Sequence, residues 1–189
     1  MALSPAATYR ELLADERARA WRMLVRPAMF LLVLGTAVSI MLTRRPTLGV
    51  IAVSAVFWSF VVLWQLIAGA AVIASAPARR VGLLRGLDLW FAGHLPYSLW
   101  LLAIAMLVEV SGKAPLVLFL GSALIPAAWT VAIAAAFCRI VLATTAAGAR
   151  WRMAIHQAAM LGVATSYVLW SAGGYASVAS FLARQLGQR

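Results

Sequence analysis

Cysteine is almost missing from this chain: Cys138 is the single one in 189 residues, which excludes an internal disulfide framework, a CxxC pair and a cysteine-rich zinc site. Acidic side chains are scarce as well, five Asp and Glu against 16 Lys and Arg, and charged residues of both signs make up only 11% of the sequence. The signatures of soluble catalysis are also lacking. There is no Walker loop, GxSxG elbow, HExxH pair or Gly-rich dinucleotide fingerprint, and no internal repeat or low-complexity tract. What fills the chain instead is apolar side chain, 65% of all residues, with a mean hydropathy of +0.94. That composition lies far outside the soluble globular range and points to a bilayer. In a soluble protein the net charge of +11 would suggest a nucleic-acid partner; in a bilayer it reports topology, and no nucleic acid is expected. At about 20 residues per membrane-spanning helix the length leaves room for roughly four to six spans and none for a separate catalytic domain.

The expected fold class is all-α: a polytopic transmembrane helix bundle of about five spans, preceded by an N-terminal interfacial amphipathic helix. Residues 1–26 carry charges of both signs and lack the apolar core and cleavage site of a signal peptide, so they read as a retained cytoplasmic segment. Tyr9, Leu12, Leu13, Ala20 and Leu24 fall on one helical face, which suits a helix lying on the membrane surface or a solvated lead-in. Spans are expected at about 27–43, 48–76, 87–108, 115–137 and 153–173, making 27–174 the transmembrane domain. Residues 175–189 are left as a short helix or tail. The apolar runs are unbroken, twice the length of barrel strands, and rich in Ala and Leu, which favours helices over strands. Pro96 and Pro126 fall inside spans and predict kinks. Small-residue faces at Gly121, Ser122 and Ala123, at Ala128, Ala132 and Ala136, and at Ala158 and Gly162 would allow close helix approach. Trp21, Trp90, Trp151 and Tyr175 lie near span ends, where amphipathic rings favour the interface.

Orientation follows from the arginines. With the N-terminus inside, five spans place eleven basic residues on the cytoplasmic side and five outside. This fits the positive-inside rule, with the C-terminus outside. A sixth span over Tyr175 to Leu186 would raise the ratio to thirteen against three, although that stretch is short. The expected location is therefore a bacterial inner membrane, with anionic lipid as the counterpart of membrane-surface residues Arg17, Arg19, Arg22 and Arg26.

Polar groups inside a membrane are costly, so the few present are the first functional candidates. Asp88, His94, Arg139 and His156 share one predicted leaflet and form a candidate intramembrane cluster. Three readings of it stay open. Asp88 could pair with an arginine such as Arg85 or Arg139 while the histidines bond across helices. His94 and His156 could be the axial ligands of a b-type haem, the one cofactor considered in a chain otherwise expected to carry none. Asp88 and a histidine could also form a proton or ion relay. Cys138, beside Arg139, reads as a bystander thiol. No catalytic constellation or metal site emerges.

Three stretches carry a family resemblance: the basic segment leading into Arg26-Pro27, GLDLWFAGHLPYSLW at 86–100, and IPAAWTVAIAAAFCRIVLATTAAGARW at 125–151. Their order resembles the Yip1-domain family of small polytopic membrane proteins over about residues 20–172. The resemblance implies five spans, a cytoplasmic N-terminus, no enzymatic activity, and a role in organising membranes or binding other membrane proteins or a second copy. Eukaryotic members work with Rab GTPases. This chain lacks their long polar N-terminal region, and its arginine- and alanine-rich composition looks like that of a GC-rich bacterium.

Overall fold

The computed structural model describes residues 4–14, 22–44, 46–111 and 116–171. Arg17, Arg19, Trp21 and the whole tail from 172, with Tyr175 to Leu186, lie outside the described residues. Among those described, every regular element is a helix: α1 (Pro5–Ala14), α2 (Arg22–Thr43), α3 (Leu48–Ala74), α4 (Leu83–Ala92), α5 (Leu95–Ser111), α6 (Leu116–Ile140) and α7 (Ala146–Ser171). Three stretches are long and apolar enough to cross a membrane, Leu48–Ala74, Leu83–Ser111 and Gly121–Ile140, and Val25–Met41 is a shorter apolar one. The chain is an all-α membrane protein. It divides into two compact units, Met1–Met153 and Ala154–Arg189, the division falling within α7.

In the first unit, side-chain contacts fix the helix directions. Ala55 and Ile51 of α3 meet Gly35 of α2, Arg26 at the start of α2 meets Asp88 on α4, and Tyr9 of α1 meets Phe137 near the end of α6. The start of α2, end of α3, start of α4 and end of α6 therefore gather at one end of the bundle, which we call the arginine end. The larger core lies there, built around Tyr9, Ile73, Leu89, Trp90, Phe137 and Leu142. A second core, Leu34, Ala37, Val38 and Ile40 with Leu101 and Ala105, joins α2 to α5 farther along.

The third expected span is a broken helix. Pro96 has no N–H to offer the carbonyl four residues back, and its ring would clash there. The chain responds before the proline: α4 stops at Ala92, and a tight turn follows in which the Gly93 and His94 N–H groups donate to Trp90 and Phe91 at 3.0 and 3.2 Å. α5 then opens at Leu95 with Pro96 in its first turn, a position that tolerates proline. Pro126 lies inside α6, which continues through it. Between α5 and α6 the two prolines line an apolar cleft of about 360 Å³ with Leu95, Leu99, Ile125 and Trp129. The Trp100 indole donates across it to Ser122 Oγ at 3.0 Å.

Of the small residues the sequence suggested, Ala136 packs against the larger core and Ser122 meets Trp100 of α5, but the tightest helix approaches occur elsewhere. A Cβ on Gly121 or Gly162 would meet open space, whereas one on Gly35 would come to 2.8 Å from Ala55 Cβ and 2.9 Å from the Ile51 carbonyl oxygen. On Gly69 it would reach 2.9 Å from Trp90 Cδ1. The α2–α3 seam thus depends on a missing side chain, the packing device that membrane helices use where lipid supplies no hydrophobic drive. Trp90, expected at an interface, is instead 4% exposed in the core. Trp151 is 68% exposed.

Candidate functional site

Asp88 is 1% exposed, and at that depth an unpaired carboxylate would be prohibitively costly. Its neighbours resolve the cost. Arg85 sits one helical turn earlier on α4 and donates Nη1 to Asp88 Oδ2 at 2.6 Å. Arg26, arriving from α2, places Nη1 3.0 Å from Oδ1 and donates to the Asp88 backbone oxygen at 2.8 Å. The second terminal nitrogen of Arg85 reaches the Leu12 carbonyl of α1 at 2.6 Å. Leu12 is within the last turn of α1, where carbonyls lack helical partners and a cation complements the helix dipole. One carboxylate therefore joins α4 to α2, and through Arg85 to α1.

Tyr9 reinforces the same junction. Its hydroxyl donates to the Leu89 carbonyl at 3.4 Å, a long bond, and its ring meets Phe137 edge-on with centroids 5.7 Å apart. Burial pushes the Tyr9 phenol above its usual range, Cys138 adding to the rise and Arg26 opposing it. Tyr9, with Leu12 and Leu13 of the face read from the sequence packed against the same core, thus docks α1 onto α6 and α4.

Nearby, Arg152 on the first turns of α7 closes the end of α3. Its Nη2 and Nε donate to the Ser75 carbonyl and hydroxyl at 2.7 and 3.0 Å. Thr145 caps α7, accepting from the Gly148 N–H at 3.1 Å. The α6–α7 connection wraps back on itself, with Ala143 at a left-handed φ of 52° and the Thr144 N–H and hydroxyl both donating to the Cys138 carbonyl at 3.1 and 2.9 Å.

Three of the four residues of the expected polar cluster, Asp88, His94 and Arg139, lie in the first unit, each with its own neighbours. Asp88 pairs with Arg26 and Arg85. Arg139 is exposed on α6 and takes no part in that network. His94 occupies the α4–α5 turn, 8% exposed, with its ring stacked on Phe91 at 5.2 Å and bordered by Phe30 and Trp90 at 5.2 and 6.2 Å. His94 Nδ1 lies 3.3 Å from the Trp90 carbonyl, so the ring is held within the aromatic packing of the α4–α5 turn. His156 is buried and belongs to the second unit. Among the described residues no three His, Cys, Asp or Glu side chains assemble as a metal site.

Of the expected membrane-surface arginines, Arg22 opens α2, and Arg26 turns inward to the carboxylate with 32% of its side chain exposed. Sequence reasoning offered Arg85 or Arg139 as a partner of Asp88 in one of its three readings, and Arg85, three residues away on the same helix, is the one the structure has. It missed Arg26, which is 62 residues from Asp88; the available signal was an arginine and an aspartate at matching predicted depth. No protein-family profile matches the chain, and no curated protein or solved structure matches it either.

Proposed function

We propose that this is a non-enzymatic, multi-pass protein of a bacterial inner membrane, its N-terminus and arginine end cytoplasmic. It acts through contacts with lipids and other membrane proteins, as an organiser of the membrane or an accessory subunit of a membrane complex. The Yip1-domain resemblance points the same way. The observation that carries the reading is the use made of the buried charge: Asp88 is neutralised by two guanidinium groups that also fasten α1, α2 and α4. A carboxylate held so tightly is a poor proton or ion relay, and what remains open to partners is the exposed basic and apolar surface.

Affinity isolation of the tagged full-length protein in a mild detergent, followed by mass spectrometry, tests this. The expected result is co-purification with a defined membrane protein or with itself, accompanied by enriched anionic lipid, and an optical spectrum without a Soret band from haem-replete cells. Recovery as a lone monomer with turnover of its own would overturn the proposal.

A further inference from the structure

At the arginine end the cations outnumber the available anions. The sequence holds no Asp or Glu between residues 17 and 87 or after Glu109, and Asp88 already has its two arginines. Arg79, Arg80, Arg139 and Arg150 are all exposed, and none has a carboxylate partner among the described residues. Two backbone features bring the first three to one junction. The Arg80 N–H donates to the Val141 carbonyl at 3.0 Å, and the chain after Arg139 folds back through the bonds to the Phe137 and Cys138 carbonyls. Trp151, beside Arg150 and largely exposed, is the kind of side chain that marks a headgroup level.

An apolar surface leads away from this junction. Leu124, Ile125, Ala128, Trp129 and Ala132 on α6, with Pro5 of α1 at the rim, line a shallow groove of about 580 Å³. At 100° per residue Arg139 falls within about 20° of both Ala128 and Ala132 around the helix axis, so groove and arginine share one face. At 1.5 Å per residue Ala132 lies about 10 Å below Arg139 and Leu124 about 22 Å below it. One leaflet of hydrocarbon is about 15 Å deep, so the groove meets the deeper part of an acyl chain whose headgroup sits at Arg139.

We infer that this face of α6 is a binding site for an anionic phospholipid, with the headgroup phosphate at Arg139 flanked by Arg79 and Arg80 and one acyl chain along Ala132, Ala128 and Ile125. The charge selects the headgroup, and the small side chains at 128 and 132 leave the chain its room. The inference rests on the proposed function only in placing the arginine end at a leaflet surface. Recovery as a lone monomer with turnover of its own would overturn that function and leave the lipid site standing.

The experiment is native mass spectrometry of the full-length protein with phosphatidylglycerol and phosphatidylcholine of identical acyl chains. Phosphatidylglycerol should be retained in clear preference. Arg139→Gln should reduce that preference about fivefold, the effect of about one basic residue at a membrane surface, while Arg139→Lys restores most of it. Arg79→Gln with Arg80→Gln should lower it further. Ala132→Trp, at an exposed position, should weaken long-chain phosphatidylglycerol and spare a short-chain analogue. Millimolar inorganic phosphate should leave the lipid bound. Equal retention of the two lipids, an unchanged preference in Arg139→Gln of wild-type helicity, or displacement by inorganic phosphate would each overturn the assignment, the last by showing a free-anion site.

Discussion

At the arginine end of the first unit, side chains distant in sequence bond across helices: Arg26 to Asp88, Arg85 to Leu12, Tyr9 to Leu89 and Arg152 to Ser75. Toward the opposite end, several polar side chains bond within their own turn. Thr43 Oγ1 donates to Ser39 and Ser111 Oγ to Leu107, Thr47 accepts from the Val50 N–H at 3.4 Å, and Arg44 closes α2 at a left-handed φ of 54°. Cohesion toward that end comes from apolar packing, from the missing side chain at Gly35 and from the Trp100–Ser122 bond between α5 and α6. One end is joined by directional bonds around a buried charge and the other mainly by shape, so the two should fail differently.

Substitutions can break that contrast, beginning with the buried charge. Asp88→Ala leaves Arg26 and Arg85 facing each other without a counter-ion, and removing one partner of a buried ion pair costs about 3–5 kcal/mol. Thermal unfolding in detergent should show this as the largest loss of any single substitution, and Asp88→Asn as a smaller one. Next comes the seam: Gly35→Val drives a branched side chain into Ala55 and the Ile51 carbonyl, for which overpacking predicts about 1–3 kcal/mol. Gly121→Val, into open space, should change stability by less than about 0.5 kcal/mol, so equal effects of the two would refute the assigned seam.

Tyr9→Phe removes a long hydrogen bond and should cost about 0.5–1 kcal/mol at neutral pH. Its pH signature sharpens the test. The buried phenol is raised above its usual value near 10, so the folded state favours the neutral form. Its contribution is complete below that value and is lost as pH rises through the higher folded-state value. Wild type should therefore lose stability above about pH 10 relative to Tyr9→Phe, as read by the difference between their unfolding midpoints. Thr47→Ala, at the far end, removes one long cap bond and should cost only about 0.5 kcal/mol.

Much of the architecture is legible without coordinates, because long apolar runs and their punctuation are properties of the chain itself. The helix class, a distortion near Pro96 and Arg85 as one candidate partner of Asp88 all follow from residues within a few positions of one another. What escapes is whatever depends on which faces meet. Gly121 and Gly162 are ordinary small-residue candidates that touch nothing, while Gly35 and Gly69 do the packing; alanine-rich spans offer too many equivalent stripes to choose from. Arg26 looks like another interfacial cation until α2 and α4 are side by side. Trp90 sits near a span end in sequence, yet the space above Gly69 draws it into the core.

Hydrogen exchange measured by mass spectrometry on wild type and Asp88→Asn in lipid nanodiscs tests the central claim most directly, that Asp88 fastens the N-terminal helix to the bundle. The expected result is faster exchange in α1 and at the starts of α2 and α4, with the α2–α3 seam around Gly35 and Ala55 unchanged. Unaltered exchange in α1, or loosening that begins at the seam, would contradict it.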